Sequence, residues 1–293
     1  MSIVTFWNDD KEQVGKTLTS VAVATKMAIE RNLKILLIST AYRDPTMKNC
    51  YWVDGVQKKL KLFEKGNNFA VESGVEGLSK LIRANKIQPT IITDYTKVIF
   101  KGRLEVLGGY IGAPDKTDEE RLVDYKETAE CYPELLRLAN QYYDMVLVDI
   151  DNNLDNEIKK ELLKISNLNM YVLTQRLSGL DKYNNLKNTN KEFLSPKYIP
   201  VIGKYDKNSK YSKKNITRYL DERKEIVVIP YNTLFFEAAE EASVTELFLK
   251  LRDIKDTTDD NYFFINEVQK VTEKIILRLQ ELQMKMRWEN VNF

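Results

Sequence analysis

The sequence predicts a doubly wound α/β fold, a mostly parallel sheet flanked by helices. Short apolar runs rich in β-branched residues alternate with longer stretches of helical period. The first run passes through a short turn directly into a helical pattern, as in a βαβ unit. No repeat and no Gly/Ser-rich or Pro-rich linker divides the 293 residues, so a single domain spanning 1–293 is expected. Length alone would accommodate about two.

The apolar runs fall at 3–7, 34–39, 104–107, 145–150, 169–173, 198–202 and 226–229. Runs this short suit buried strands better than helices. Helices are expected at 17–31, at 75–84 and at 132–142, the last with Pro133 in its first turn, where a missing amide costs nothing. Residues 49–88 are the least patterned, and the basic run Lys58, Lys59 and Lys61 reads as a solvated insertion. Over 263–288, Ile265, Val268, Val271, Ile275, Leu279, Leu282 and Met286 recur at three- and four-residue steps. They mark an amphipathic C-terminal helix whose apolar stripe packs on the body.

Composition removes several function classes. Forty-five Lys and Arg against 43 Asp and Glu leave a net charge of +2, so bulk charge does not make a nucleic-acid binder. The chain has no histidine, which excludes His general bases, Ser-His-Asp and Cys-His catalysis, and most zinc sites. Cys50 and Cys131 are distant in sequence and read as free thiols filling the interior. The mean hydropathy is −0.42 and no apolar stretch approaches the roughly 20 residues of a membrane span. The opening MSIVTFWN lacks the features of an export signal, so a cytoplasmic location is expected.

The first strand runs into DKEQVGKT, residues 10–17. Against the phosphate-loop pattern GxxxxGK[ST], Gly15, Lys16 and Thr17 are present and Asp10 stands in place of the opening glycine. Gly15 lets the backbone approach phosphate, Lys16 suits the β- and γ-phosphates, and the Thr17 hydroxyl suits Mg²⁺. Val14 and Leu18 flank these residues, and amides at the start of the next helix favour an anion. A second strand ending YDMVLVDID brings Asp149 to the place of a carboxylate that holds the magnesium-bound water.

Aligned as KEQVGKT, the loop resembles the deviant Walker A sequence KGGxGK[ST] of the ParA/MinD family of P-loop ATPases. The resemblance runs on through RNLKILLIST, GVEGLSKLI, RLEVLGG, YDMVLVDI, VIGKYDKNSK and VVIPYNTLFFEAAEEASV, in family order over nearly the whole chain. It implies ATP and Mg²⁺ as ligands and a dimer closed around nucleotide. Lys11 falls on the signature lysine that reaches the partner's nucleotide, and Glu12 and Gln13 fall on two glycines. Thr17 and Asp149 are implied at the metal, and Lys204 and the backbone near Pro230 beside adenine.

The departures fall on catalytic positions. The family's second strand ends in DxD, whose second Asp orients the attacking water, but Ser39 and Ala41 stand here. Asp44 or Asp151 would have to replace it. Glu12 adds a negative charge near the phosphates, opposing them by roughly 1 kcal/mol if solvated and roughly 4 kcal/mol at an effective dielectric of about 20.

A kept scaffold with a lost carboxylate implies a nucleotide-binding dimeric switch or scaffold that positions a secretion, pilus, conjugation or segregation assembly, with weak or absent hydrolysis. In this it resembles the TadZ/CpaE branch. The alternative is an active, partner-stimulated ATPase cycling on DNA or membrane. For DNA the candidate patch is Lys207, Lys210, Lys213, Lys214 and Arg218, which reads equally as a solvated loop entering a helix. For membrane it is the C-terminal helix, whose cationic face is interrupted by Glu273 and Glu281.

Overall fold

The computed structural model describes residues 1–9, 12–52, 74–222 and 225–291. Asp10, Lys11 and the basic run at 58–61 lie outside the described residues. One eight-stranded sheet forms the centre, in the spatial order β3-β4-β2-β5-β1-β6-β7-β8. The strands are β1 (Ser2–Trp7), β2 (Ile35–Ser39), β3 (Lys97–Phe100), β4 (Leu104–Leu107), β5 (Met145–Asp149), β6 (Leu168–Leu173), β7 (Tyr198–Tyr205) and β8 (Val227–Pro230). All neighbours pair in parallel except β3, which runs antiparallel to β4.

Burial on both faces explains why the central strands read as unbroken apolar runs. In β2, Ile35 and Leu37 enter one core layer while Leu36 and Ile38 enter the other, the period-2 alternation of a strand. The first layer holds α1 (Lys16–Glu30), the short α2 (Thr46–Asn49) and three later helices described below. The second holds α3 (Val75–Arg83), α4 (Asp118–Ala129), α5 (Tyr132–Ala139), α6 (Asn156–Ile165), α7 (Leu177–Thr189) and α8 (Lys213–Tyr219). Back on the first layer lie α9 (Thr233–Glu240), α10 (Val244–Lys250) and α11 (Asp260–Val291). The fold is therefore the doubly wound α/β sheet read from the sequence.

The seven expected strands are present, with ends shifted by a residue or so except for β7, which continues to Tyr205. Strand β3 was not expected, because it is short and its Lys97 and Val98 are exposed, so it carries no run of buried residues. The C-terminal helix begins earlier and ends later than 263–288. Its start is fixed by Asp259, whose Oδ1 accepts from the Asn261 amide at 2.7 Å. Phe264, Ile265, Val268, Val271, Ile275 and Leu279 are buried in the first layer, so the stripe packs on the body as its spacing predicts.

Several helices escaped the reading because charged residues dominate them, yet their ends carry plain capping chemistry. Thr117 and Glu120 form a capping box at α4, and Asp155 accepts from the Glu157 amide at 2.8 Å at the start of α6. Both cysteines are buried free thiols. Burial, helped by the charge of Glu240, pushes the Cys50 thiol up to about 12, which keeps it out of thiolate chemistry.

A buried polar network ties the β3–β4 edge to β5. Glu105, almost fully enclosed, accepts from the Tyr143 hydroxyl at 2.5 Å and the Thr96 hydroxyl at 2.8 Å, with Lys34 Nζ 3.9 Å away. Replacing this carboxylate with an aliphatic side chain leaves buried donors unmet. Glu105→Leu is expected to lower unfolding stability by about 2–3 kcal/mol, read from urea denaturation followed by circular dichroism. An unchanged midpoint would show that the network is dispensable.

Candidate functional site

The parallel register sets the ends of the central strands at one level. Phe6 of β1 and Ser39 of β2 both pair with Asp149 of β5, so the loop after β1 leaves the sheet beside the Asp149 side chain. Ligands of such sheets gather at these carboxyl ends. The chain turns where the Val14 amide donates to the Glu12 carbonyl at 2.9 Å, and α1 starts after Gly15, which adopts φ +79°. That left-handed backbone alone favours glycine. A Cβ there would also stand 3.0 Å from Lys204 Cγ, because the Lys204 side chain lies across the loop. One residue earlier, a Cβ on Gly203 would stand 2.4 Å from the Val14 carbonyl oxygen. The end of β7 is thus pressed against the loop, and Lys204 itself has φ +51°.

Lys16, Thr17 and Asp149 come together as the motif predicts. Thr17 Oγ1 donates to Asp149 Oδ2 at 2.6 Å, and Lys16 Nζ lies 4.0 Å from Oδ1. Lys16 also donates to the Ile150 carbonyl and to Asn152 Oδ1 at 3.0 Å. Asp149 does not cap the helix that follows; Asp155 does. Burial pushes the Asp149 carboxyl above the ordinary range, and the charges of Asp151 and Asp44 add to that, while Lys16 and the Thr17 hydroxyl oppose it. Its Oδ1 is buried with no hydrogen-bond partner.

An orphaned, buried carboxylate oxygen beside a threonine hydroxyl is a donor set that suits a hard divalent cation. Among the described residues no cluster of three or more His, Cys, Asp or Glu side chains forms a closed metal site. A cation here would therefore complete its shell with water and phosphate oxygens, the usual habit of Mg²⁺.

Lys204 and Pro230 line one open cleft of about 550 Å³ beside the loop, together with Tyr231, Asn232, Asp260 and Phe263. Val14 is buried beneath the loop, Gln13 is exposed, and Leu18 packs partly into the first core layer. Glu12 forms an ion pair with Arg176 at 2.6 Å. Lys11 lies outside the described residues.

Both replacement carboxylates are engaged with backbone. Asp44 Oδ1 accepts from the Thr46 amide at 2.9 Å and from its hydroxyl at 2.5 Å. Asp151 accepts from the Tyr42 amide at 3.3 Å and the Asn153 amide at 2.8 Å. The turn after β2 is held from several sides. Tyr125 donates to the Thr40 carbonyl at 2.9 Å, and the Asp151 amide donates to Thr40 Oγ1 at 2.8 Å. Tyr132 donates to the Ser39 carbonyl at 3.3 Å, and a Cβ on Gly109 would stand 2.4 Å from the Ala41 oxygen. Asn152 and Arg176 were missed by the sequence reading; the signal available was their position just past the ends of β5 and β6.

The basic residues 207–218 lie on the loop that enters α8 and on that helix. Ser212 accepts from the Asn215 amide, Lys207 pairs with Asp260 at 2.6 Å, and Lys213 lies 3.7 Å from Glu225. Among the described residues no helix is long and apolar enough to cross a membrane.

The sheet order, the glycine turn into α1 and the Thr17–Asp149 pair place a strand-to-helix turn beside an acidic strand end at the carboxyl edge of a doubly wound sheet. No protein-family pattern matches the chain, and no curated protein sequence does either. Solved structures do match. A ParA family ATPase from Chlorobium tepidum TLS superposes at TM-score 0.66 and 15% identity, over 92% of this chain and 98% of that one. The septum site-determining protein MinD from Pyrococcus horikoshii OT3, complexed with Mg-ADP, gives 0.62 and 14% over 94% and 98%. The MinC:MinD cell division protein complex from Aquifex aeolicus gives 0.57 and 13% over 94% and 96%. The chain has the fold of the ParA and MinD ATPases.

The raised Asp149 carboxyl yields a prediction whose sign is fixed. Its stabilising contribution is full below the ordinary carboxylate range and is lost as pH rises through the elevated value, because the folded chain then carries an ionised, desolvated group. Without divalent cation and nucleotide, Asp149→Asn is expected to be more stable than the parent at neutral pH, by on the order of 1 kcal/mol. The gap should close on acidification. Paired urea titrations at acid and neutral pH check this, and a variant less stable at neutral pH would refute it.

Proposed function

We propose that the chain is a nucleotide-dependent positioning protein. It binds Mg-ATP at residues 12–18, dimerises around the nucleotide with Lys11 reaching the partner's phosphates, and in that state holds a protein partner of a localised assembly. Hydrolysis is weak or absent. The observation that carries this reading is the Thr17–Asp149 pair with its orphaned Oδ1, kept intact beside a strand end where Ser39 and Ala41 offer no carboxylate.

Each residue has a defined task in the reading. The Gly15 turn opens the loop amides toward an anion, Lys16 exchanges the Ile150 carbonyl and Asn152 for phosphate oxygens, and Thr17 and Asp149 hold Mg²⁺ and its water. Mg²⁺ there supplies neutralisation of phosphate charge. The methylenes of Lys204 and the backbone at Pro230 border the cleft proposed for adenine. The similarity to structures of a MinD with Mg-ADP and of a MinC:MinD complex supports nucleotide as ligand and a protein as partner. A role of the TadZ/CpaE kind, in which an assembly is placed and nucleotide seldom turns over, agrees with the missing carboxylate.

A second reading, an ATPase cycling on DNA or membrane, needs a replacement carboxylate, and one observation favours it: Asp151 reaches the turn after β2, where its Oδ2 accepts from the Tyr42 amide at 3.3 Å. The two readings separate in one set of measurements. On the first, a fluorescent ATP analogue binds with Mg²⁺, Lys16→Ala weakens it at least about 100-fold, and the molecular mass doubles with nucleotide. Phosphate release stays at the level of buffer. On the second, phosphate is released above buffer and Asp44→Ala or Asp151→Ala abolishes the excess. No binding and no self-association at high micromolar protein would overturn both.

A further inference from the structure

Arg176 belongs to no motif, yet it stands at the mouth of the loop. It holds the position just before α7, past the carboxyl end of β6, the strand that pairs with β1 on the side opposite β5. Asn152, which accepts from Lys16 of the loop, approaches from the β5 side and Lys204 from β7. Arg176 supplies a cation from the sector between them. Its Nη1 is 2.6 Å from Glu12 Oε2, with the two side chains 67% and 36% exposed, so either partner can turn away without disturbing the core.

Glu12 sits where the aligned pattern has glycine, and its carbonyl receives the Val14 amide that closes the loop turn. The planar guanidinium fork binds a carboxylate and a phosphate by the same geometry. A group placed at this loop to hold one is equally placed to hold the other. We propose that Arg176 is a phosphate-binding residue of this site, and that Glu12 occupies it in place of phosphate until nucleotide arrives. This inference rests on the nucleotide reading given above. Binding then exchanges one anionic partner of Arg176 for another, and Glu12 swings to solvent. The acidic side chain acts as a competitor that sets how much nucleotide the site needs, not as a plug.

The test is a titration of the full chain with a fluorescent ATP analogue and Mg²⁺, using the parent, Glu12→Gln, Arg176→Gln and the double variant. Glu12→Gln is expected to bind about tenfold tighter and Arg176→Gln about tenfold weaker, the scale of one charge-assisted contact. The decisive comparison is Arg176→Gln in the Glu12→Gln background. There it still weakens the triphosphate about tenfold, weakens AMP far less, and is partly rescued by Arg176→Lys. If Arg176 only neutralises Glu12, the double variant binds as tightly as Glu12→Gln, and the proposal fails while the nucleotide site stands. Equal binding by the parent and Glu12→Gln overturns the competitor role in the same way. If none of the four folded proteins binds at millimolar nucleotide, the site reading itself falls and takes this inference with it.

Discussion

A single hydrogen bond, from Thr17 Oγ1 to Asp149 Oδ2 at 2.6 Å, joins the first turn of α1 to the end of the central strand β5. What lies on either side of it follows from that link. The loop after β1 has to turn sharply to bring Thr17 back over β5, which requires the left-handed Gly15. The turn has to clear β7, which requires Gly203 beneath Val14. The register that pairs Phe6 and Ser39 with Asp149 then sets the turn after β2 next to the same carboxylate. A side chain at Gly203 or Gly15 would displace the loop and break the link, so the site depends on two absent Cβ atoms as much as on the residues present.

The fold was legible because its central strands are buried on both faces and each is bounded by a change of period. Where one of those conditions fails, reading fails with it. Strand β3 exposes Lys97 and Val98, and α4 opens with Asp118, Glu119 and Glu120, so neither shows an apolar pattern above its surroundings. Within the candidate site, the grouping of Gly15, Lys16, Thr17 and Asp149 was legible because the phosphate-loop pattern restricts residue type at fixed spacing. Arg176 and Asn152 were not, since their place beside the loop comes from strand adjacency: β6 and β5 flank β1 in space although about 140 or more residues separate them in sequence. Spacing cannot report a relation created only by sheet order.

The site also keeps groups that oppose folding. Asp149 is buried with one oxygen unpartnered, and Asn8 and Thr19 beside the loop carry buried side-chain atoms in the same condition. Each costs about 1–3 kcal/mol relative to a satisfied group. Their concentration around the loop contrasts with Glu105, another enclosed carboxylate, which is satisfied by Tyr143, Thr96 and Lys34. The chain is thus able to compensate a buried acid where structure alone is at stake. At Asp149 the Thr17 hydroxyl and Lys16 offset burial only in part, since Oδ1 has no hydrogen bond.

The turn after β2 separates ligand binding from turnover in physical terms. Ser39 and Ala41 cannot orient water as a carboxylate does, and the hydrogen bonds from Tyr125, Tyr132 and the Asp151 amide hold this turn in place. Asp44 and Asp151 each engage backbone amides, so recruiting either to a water would break bonds that fix the turn. Nucleotide binding as proposed makes no such demand, because the cations and amides of the loop would need only to trade internal acceptors for phosphate oxygens. On the proposed reading, an arrangement that lowers the cost of exchange at the loop while raising the cost of movement at the neighbouring turn would favour residence of nucleotide over its cleavage. A long-lived bound state is the property a positioning protein needs.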